Sequence, residues 1–307
     1  MTSNEMQPND FIKVSRPARG RISGDGVQLA FGFWPGRGAP VIGLHGLTAS
    51  HMNFVGIAEQ LAGRCPLFAL DLRGRGDSDK PGGPYGLAQH ARDVAAAMRA
   101  MGLGPSTVVG HSMGAFVATA LAAQEPSLVS ALILIDGGYV PDSTNSAAEG
   151  LNAALALRIN QLRQTYPSRQ AYREFWRTQP HFPSEEWNSW VESFLDYEVG
   201  GDSPVQPKAS EAAVRADMGE VLQRDAITER LHAIRVPTLL LRAESGFVPG
   251  QPPLFSDATI PEFRKYVPQI EDQKFAGTTH YTIVLGERAA TRVADLVAER
   301  GSQRRSW

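Results

Sequence analysis

Apolar positions along this chain fall into two alternating rhythms. Short, nearly continuous apolar runs end in small or polar residues: "APVIGLHG" (39–46), "CPLFALDL" (65–72), "STVVGHS" (106–112) and "SALILIDGG" (130–138). Runs of that kind predict strands buried on both faces of a parallel sheet. Between them lie "NFVGIAEQLAGR", "GLAQHARDVAAAMRAMG" and "GAFVATALAAQEP", which carry helical spacing and stop at Gly or Pro. A further segment, "VQLAFGFW" (27–34), alternates like a half-buried strand and follows Gly24-Asp25-Gly26, a hairpin signal. The βαβαβ order predicts an α/β fold with a mainly parallel sheet.

After Ile135 the rhythm breaks. Residues 139–230 show no strand pattern, yet they hold three of the five tryptophans, Trp176, Trp187 and Trp190, with Phe175, Phe182 and Phe194. This stretch is expected to be a helical cap inserted into the core, with "VGGDSPVQPKAS" as a loop inside it. Strand rhythm resumes at "VPTLLLRAE" (236–244) and "EDQKFAGTTH" (271–280), and "ERAATRVADLVAER" predicts a final helix. The expected organisation is a core of residues 1–138 and 231–307 around a cap of residues 139–230.

Composition narrows the chemistry. The chain has 307 residues, 42% of them apolar, enough for a large buried core. A formal net charge of −2 offers no electrostatic footprint for nucleic acid or an anionic membrane surface. One cysteine, Cys65, rules out an intrachain disulfide, and no Cys/His spacing matches a zinc site. The start "MTSNEMQPND" lacks a basic segment followed by an apolar run, and no stretch reaches membrane-spanning length. A soluble, cytoplasmic protein acting on a small molecule is the expectation, with its oligomeric state open.

Within "TVVGHSMGAFVATA" (107–120), Ser112 sits in a G-x-S-x-G pattern between a predicted strand and a predicted helix. There a serine occupies a tight strand-to-helix turn, and the flanking glycines let the two elements approach. With "LHGLTAS" (44–50), "DLRGRGDSDKP" (71–81), "LILIDGG" (132–138), "VPTLLLRAE" and "GTTHYTI" (277–283) in the same order, residues 25 to 300 resemble the α/β-hydrolase superfamily. The resemblance implies Ser112 as nucleophile and His280, after the last strand, as its base. It also implies an oxyanion hole from the backbone N–H groups of Leu47 and Met113. His45 and His111 are expected to be structural. No cofactor and no metal are implied, and "RGRGD" does not make a phosphate-binding loop.

The triad acid departs from the common pattern. Ala243-Glu244-Ser245-Gly246 places glycine where many relatives carry an aspartate. Asp136, at the end of the strand after the nucleophile helix, is preferred, with Glu244 as the alternative. Trp187 and Trp190 are expected to line a mostly apolar pocket. The function implied is carboxylic ester hydrolysis through an acyl-enzyme, since a Ser-His-acid unit serves that chemistry. A lactonase or carbon–carbon bond hydrolase is the alternative on the same residues, and a non-catalytic ligand-binding receptor of the same fold is a third reading.

Overall fold

A computed structural model describes residues 17–141 and 156–302; the stretch "MTSNEMQPND" and residues 142–155 of the expected cap lie outside the described residues. The sheet has eight strands in the order β1 (Ala18–Ser23), β2 (Gln28–Trp34), β4 (Leu67–Leu70), β3 (Val41–Leu44), β5 (Ser106–His111), β6 (Val129–Ile135), β9 (Thr238–Ala243), β10 (Ile270–Phe275). β1 and β2 pair antiparallel, as do β2 and β4, and every later pairing is parallel. Central strands β3, β5 and β9 are buried throughout, which is why they read as unbroken apolar runs. The edge strand β1, "ARGRIS", is largely exposed and was not anticipated: its polar sequence carries no run to detect. The hairpin signal after it does close β1 onto β2, through Gly24 N–H to the Val27 carbonyl at 2.8 Å.

Pleating sends alternate residues to opposite cores. Val109, Ile133, Leu239 and Leu241 face a cluster with helix α1 (Val55–Leu61) and the C-terminal helix (Glu287–Ser302). Val108, Leu132, Leu134 and Leu240 face α2 (Leu87–Ala100) and α3 (Met113–Gln124). Because α3 is buried from Met113 through Ala122, it has no polar face, matching its alanine-rich sequence.

The chain between β6 and β9 is helical where described, in α4 (residues 156–162), α5 (Arg169–Arg177), α6 (Ser189–Glu198), α7 (Glu211–Val221) and α8 (Arg224–Leu231). It is not wholly strand-free. Val199–Gly200 (β7) and Gln206–Pro207 (β8) form a two-stranded ribbon inside the expected loop. Each strand has two residues, too short to generate a period. Ile227 and Leu231 pack in the cluster that includes α3. Tyr172, Trp176 and Trp190 join the cluster of α1 and the C-terminal helix, so the inserted stretch shares its core with the sheet domain.

One docking contact is electrostatic. Gly86 supplies no side-chain cap to α2, and carboxylates of α7 take its place: Asp217 accepts the Gly86 N–H at 2.6 Å and Glu220 the Leu87 N–H at 2.9 Å.

The tightest approach is at the turn from β5 to α3. A Cβ on Gly114 would lie 1.9 Å from the Leu44 carbonyl oxygen, and one on Gly110 2.3 Å from that of Gly114. Both obstacles are backbone, so neither can swing aside. Gly114→Ala is therefore expected to cost at least ~1–3 kcal/mol of stability, seen as a lowered urea midpoint or loss of soluble protein.

Candidate functional site

Register places one end of every parallel strand on a common edge. Leu44 pairs with Gly110, His111 with Ile135, Ile135 with Leu241, and Phe275 with Ala243. The segments that follow these residues carry Leu47, Ser112, Asp136, Glu244 and His280, so candidates far apart in sequence meet at the carboxyl edge of the sheet, where open α/β sheets bind ligands.

Ser112 has φ 55° and ψ −123°, a strained conformation for a residue with a side chain. Its N–H bonds to the Ile135 carbonyl at 2.9 Å, tying the turn to the end of β6. The serine remains partly accessible while its neighbours His111 and Met113 are buried. Asp136, next after Ile135, also has positive φ, 47°, which aspartate tolerates better than most residues. One of its carboxylate oxygens accepts the Ala243 N–H at 3.2 Å, and the other lies 2.7 Å from His280 Nδ1. A carboxylate only accepts, so Nδ1 carries the proton and Nε2 is left as an acceptor.

The two candidate acids are thus placed differently. Glu244 accepts the Gly277 N–H at 2.8 Å and stands 3.7 Å from Lys274 Nζ, with its side chain 45% exposed. Gly246 holds His280 through its backbone, accepting the His280 N–H at 2.9 Å. A Cβ there would come within 2.8 Å of the Pro252 carbonyl oxygen. The site has no room for an aspartate at 246.

Histidines 45 and 111 frame the site from below. His45 Nδ1 donates to the Gly46 carbonyl at 2.7 Å and Nε2 accepts the Leu72 N–H at 3.0 Å. Gly46 shares its peptide with the Leu47 N–H, so this bond fixes the direction in which that N–H points. His111 Nδ1 accepts from the Asn53 amide at 3.1 Å and Nε2 donates to the His280 carbonyl at 2.9 Å. Both rings are held neutral. Burial brings His45 down to about 4, and burial together with neighbouring His280 takes His111 well below its ordinary 6.5.

The two expected pocket tryptophans have different neighbours. Trp190 packs over Gly56 of α1, where a Cβ would meet the indole at 2.6 Å, and its Nε1 donates to Glu59 at 2.8 Å. It anchors the inserted stretch to the core. Trp187 donates to Glu192 at 2.9 Å and lies under the Arg177 guanidinium, meeting Phe182 at 6.2 Å between ring centroids. The rings against His280 are those of His111 and Phe247, each at 4.7 Å, and Tyr281 at 5.6 Å, with His181 and Phe182 each 5.4 Å from Tyr281. Phe247 and Tyr281 lie outside the aromatic-rich insertion, the one compositional signal that pointed to a pocket.

Arg158 was also not anticipated. Its guanidinium donates to Thr48 Oγ1 at 2.7 and 3.1 Å and to Gln161 at 3.1 Å, and sits 4.6 Å above the Trp176 ring. Glu198 lies 3.5 Å away and accepts from Tyr172 OH at 2.8 Å. Burial, aided by the Arg158 charge, holds His181 neutral with a pKa of about 4. A nearly buried cation thus stands beside the loop that carries Leu47. Among the described residues no group of three or more His, Cys, Asp or Glu side chains is placed to hold a metal ion, and no helix is long and apolar enough to cross a membrane.

A serine on a strained strand-to-helix turn, beside an Asp–His pair at the carboxyl edge of a mainly parallel sheet, marks a hydrolase of the α/β class. Residues 39–287 match the alpha/beta hydrolase fold family, and the chain belongs to it. The chain is 28% identical over 247 residues to 2-(acetamidomethylene)succinate hydrolase of Mesorhizobium japonicum (80% of this chain, 83% of that one). It is 34% identical over 120 residues to N-formylmaleamate deformylase of Pseudomonas putida (39% of this chain, 45% of that one). A crystal structure of E-2-(acetamidomethylene)succinate hydrolase superposes with a TM-score of 0.78 at 23% identity, covering 92% of this chain and 99% of that one.

The neutral histidines make stability depend on pH. Above 6.5, His45 is neutral both folded and unfolded and contributes nothing to the pH dependence. As pH falls from 6.5 toward about 4, the unfolded chain takes up a proton that the folded chain refuses. Stability should fall across that window by about 3 kcal/mol from His45 alone, with His111 adding in the same direction. Urea unfolding at pH 7.5, 5.5 and 4.5 measures the drop; a flat profile would show that these rings charge in the folded protein.

Proposed function

We propose that this chain is a serine acyl hydrolase acting on a small, carboxylate-bearing amide or ester. The observation that carries the reading is the 2.7 Å Asp136–His280 hydrogen bond beside the strained turn of Ser112. In this reading Ser112 Oγ attacks the substrate carbonyl while His280 Nε2 takes its proton. Asp136 keeps the imidazole in the required tautomer and stabilises the imidazolium. Backbone N–H groups of Leu47 and Met113 receive the oxyanion, and the strain at Ser112 keeps the hydroxyl out of the helix. His280 then protonates the leaving nitrogen or oxygen, and water releases the acyl group by the same steps reversed.

Two lines support the substrate class. Both relatives are named for carboxylates bearing an acylated nitrogen. Arg158, with its side chain 12% exposed, offers a matching positive charge beside Thr48, and recognition of a carboxylate by a buried guanidinium is a strong interaction. Residues 139–230 act as a cap in this reading, with Phe182 from the cap meeting Tyr281, and Tyr281 in turn meeting Phe247, to form the apolar wall.

Ser112→Ala should abolish turnover and labelling by a fluorophosphonate. Asp136→Asn should cost ~10⁴ in kcat, as expected when a triad carboxylate is lost, while Glu244→Gln stays close to wild type. If the Glu244 variant were the inactive one, the acid assignment would be wrong. A panel pairing amides and esters, each with and without a carboxylate, tests the substrate class: Arg158→Met should raise KM for the charged members and leave the neutral ones unchanged. Equal turnover of charged and neutral members by the wild type would overturn carboxylate recognition.

A further inference from the structure

Arg75 lies in the loop "RGRGD" and its side chain is fully buried. A guanidinium in so dry a place is costly unless each of its N–H groups is satisfied. Its partners are unusual in their locations. Nε donates to the Leu47 carbonyl at 2.9 Å, Nη1 to the Arg73 carbonyl at 3.0 Å, and Nη2 reaches Met113 Sδ at 3.9 Å. Arg75 therefore touches both residues whose N–H groups form the oxyanion hole in the function proposed above. Its counter-charge comes from the inserted stretch: Asp217 of α7 pairs with Nη1, and the same carboxylate accepts from His90 at 2.8 Å. Burial would raise the Asp217 carboxyl, but Arg75 and then His90 outweigh it and hold it at about 2.

The backbone beside Arg75 is shaped to let α7 come this close. Gly74 has φ 81°, its carbonyl accepts the Ser210 N–H at 2.8 Å, and a Cβ on it would strike Ala213 of α7 at 2.6 Å. Leu47 lies in a short loop whose own cross-bond is the Ala49 N–H to the Gly46 carbonyl at 3.2 Å. Arg75 holds the Leu47–Thr48 peptide by its carbonyl, while His45 holds the preceding peptide, which carries the Leu47 N–H, by the Gly46 carbonyl, so Leu47 is fixed from both sides.

We propose that Arg75 is a positioning residue for the oxyanion hole, holding Leu47 and Met113 in register while Asp217 makes that register depend on the docking of α7. The inference rests on Leu47 and Met113 being the oxyanion donors. Arg75 makes no contact with reacting atoms; it acts through the Leu47 carbonyl and the Met113 side chain.

The test compares wild type with Arg75→Lys and with the double variant Arg75→Met/Asp217→Asn, which removes both buried charges together. Thermal unfolding establishes that each is folded, and Arg75→Lys keeps a charge for Asp217 should the double variant fail to fold. In folded variants kcat should fall ~10- to 100-fold, a part of what is lost when an oxyanion donor is removed outright, with KM within about twofold. The fluorophosphonate labelling rate and the affinity for a tetrahedral boronic acid should fall in parallel. The pH midpoint of kcat/KM should stay in place, because His280 and Asp136 are untouched. A folded variant with wild-type kcat and labelling rate, or one altered in KM alone, would overturn the proposal. A wild-type enzyme that is not labelled at Ser112 would overturn the reading of the site, and this inference with it.

Discussion

The structure turns on how closely three backbones approach one another around Ser112. β5 enters, α3 leaves, and the Leu44 carbonyl closes in from the side, so that the space a single methyl group would need is already filled at Gly110 and Gly114. Gly137 completes the enclosure: a Cβ there would lie 2.3 Å from the Ser112 carbonyl oxygen. Everything chemically interesting is hung from this knot. The Ser112 N–H is tied to β6, β6 delivers Asp136, and Asp136 reaches across to the histidine after β10. Strain in the serine backbone persists because hydrogen bonds and packing on all sides leave it no relaxed alternative.

Much of this was legible in the sequence, for identifiable reasons. Buried parallel strands announce themselves because both faces must be apolar, and the turn glycines because nothing larger fits. One helix and one returning strand bring the chain back to the edge it left, which puts Asp136 there but does not choose between it and Glu244. What the sequence concealed were residues whose role depends on distant partners. Arg158 lies in a helix with no distinctive pattern, and its meeting with Thr48 spans 110 positions. Trp187 and Trp190 show a different ambiguity. A large aromatic in an inserted segment is equally suited to lining a pocket and to fastening the segment down, and only the partner, Glu59 for Trp190, distinguishes the two.

Charge is handled sparingly. His45, His111 and His181 are kept neutral, and the guanidinium groups of Arg158 and Arg75 each have a built counter-ion, Glu198 and Asp217. Low polarity around buried groups strengthens every remaining field. The backbone dipoles of the turn can then act against little competing charge.

The carboxylates of α7 that close the N-terminus of α2 bear on how interchangeable the parts of this molecule are. Inserted segments of this kind invite grafting between relatives, on the assumption that the platform beneath is self-sufficient. Here it is not. The platform's second helix begins on Gly86 without a terminator of its own and borrows Asp217 and Glu220 from the segment above. A chimaera that exchanged the segment without these two acids would leave amide groups of the recipient unsatisfied, and its designer would see a damaged scaffold where only altered selectivity was intended.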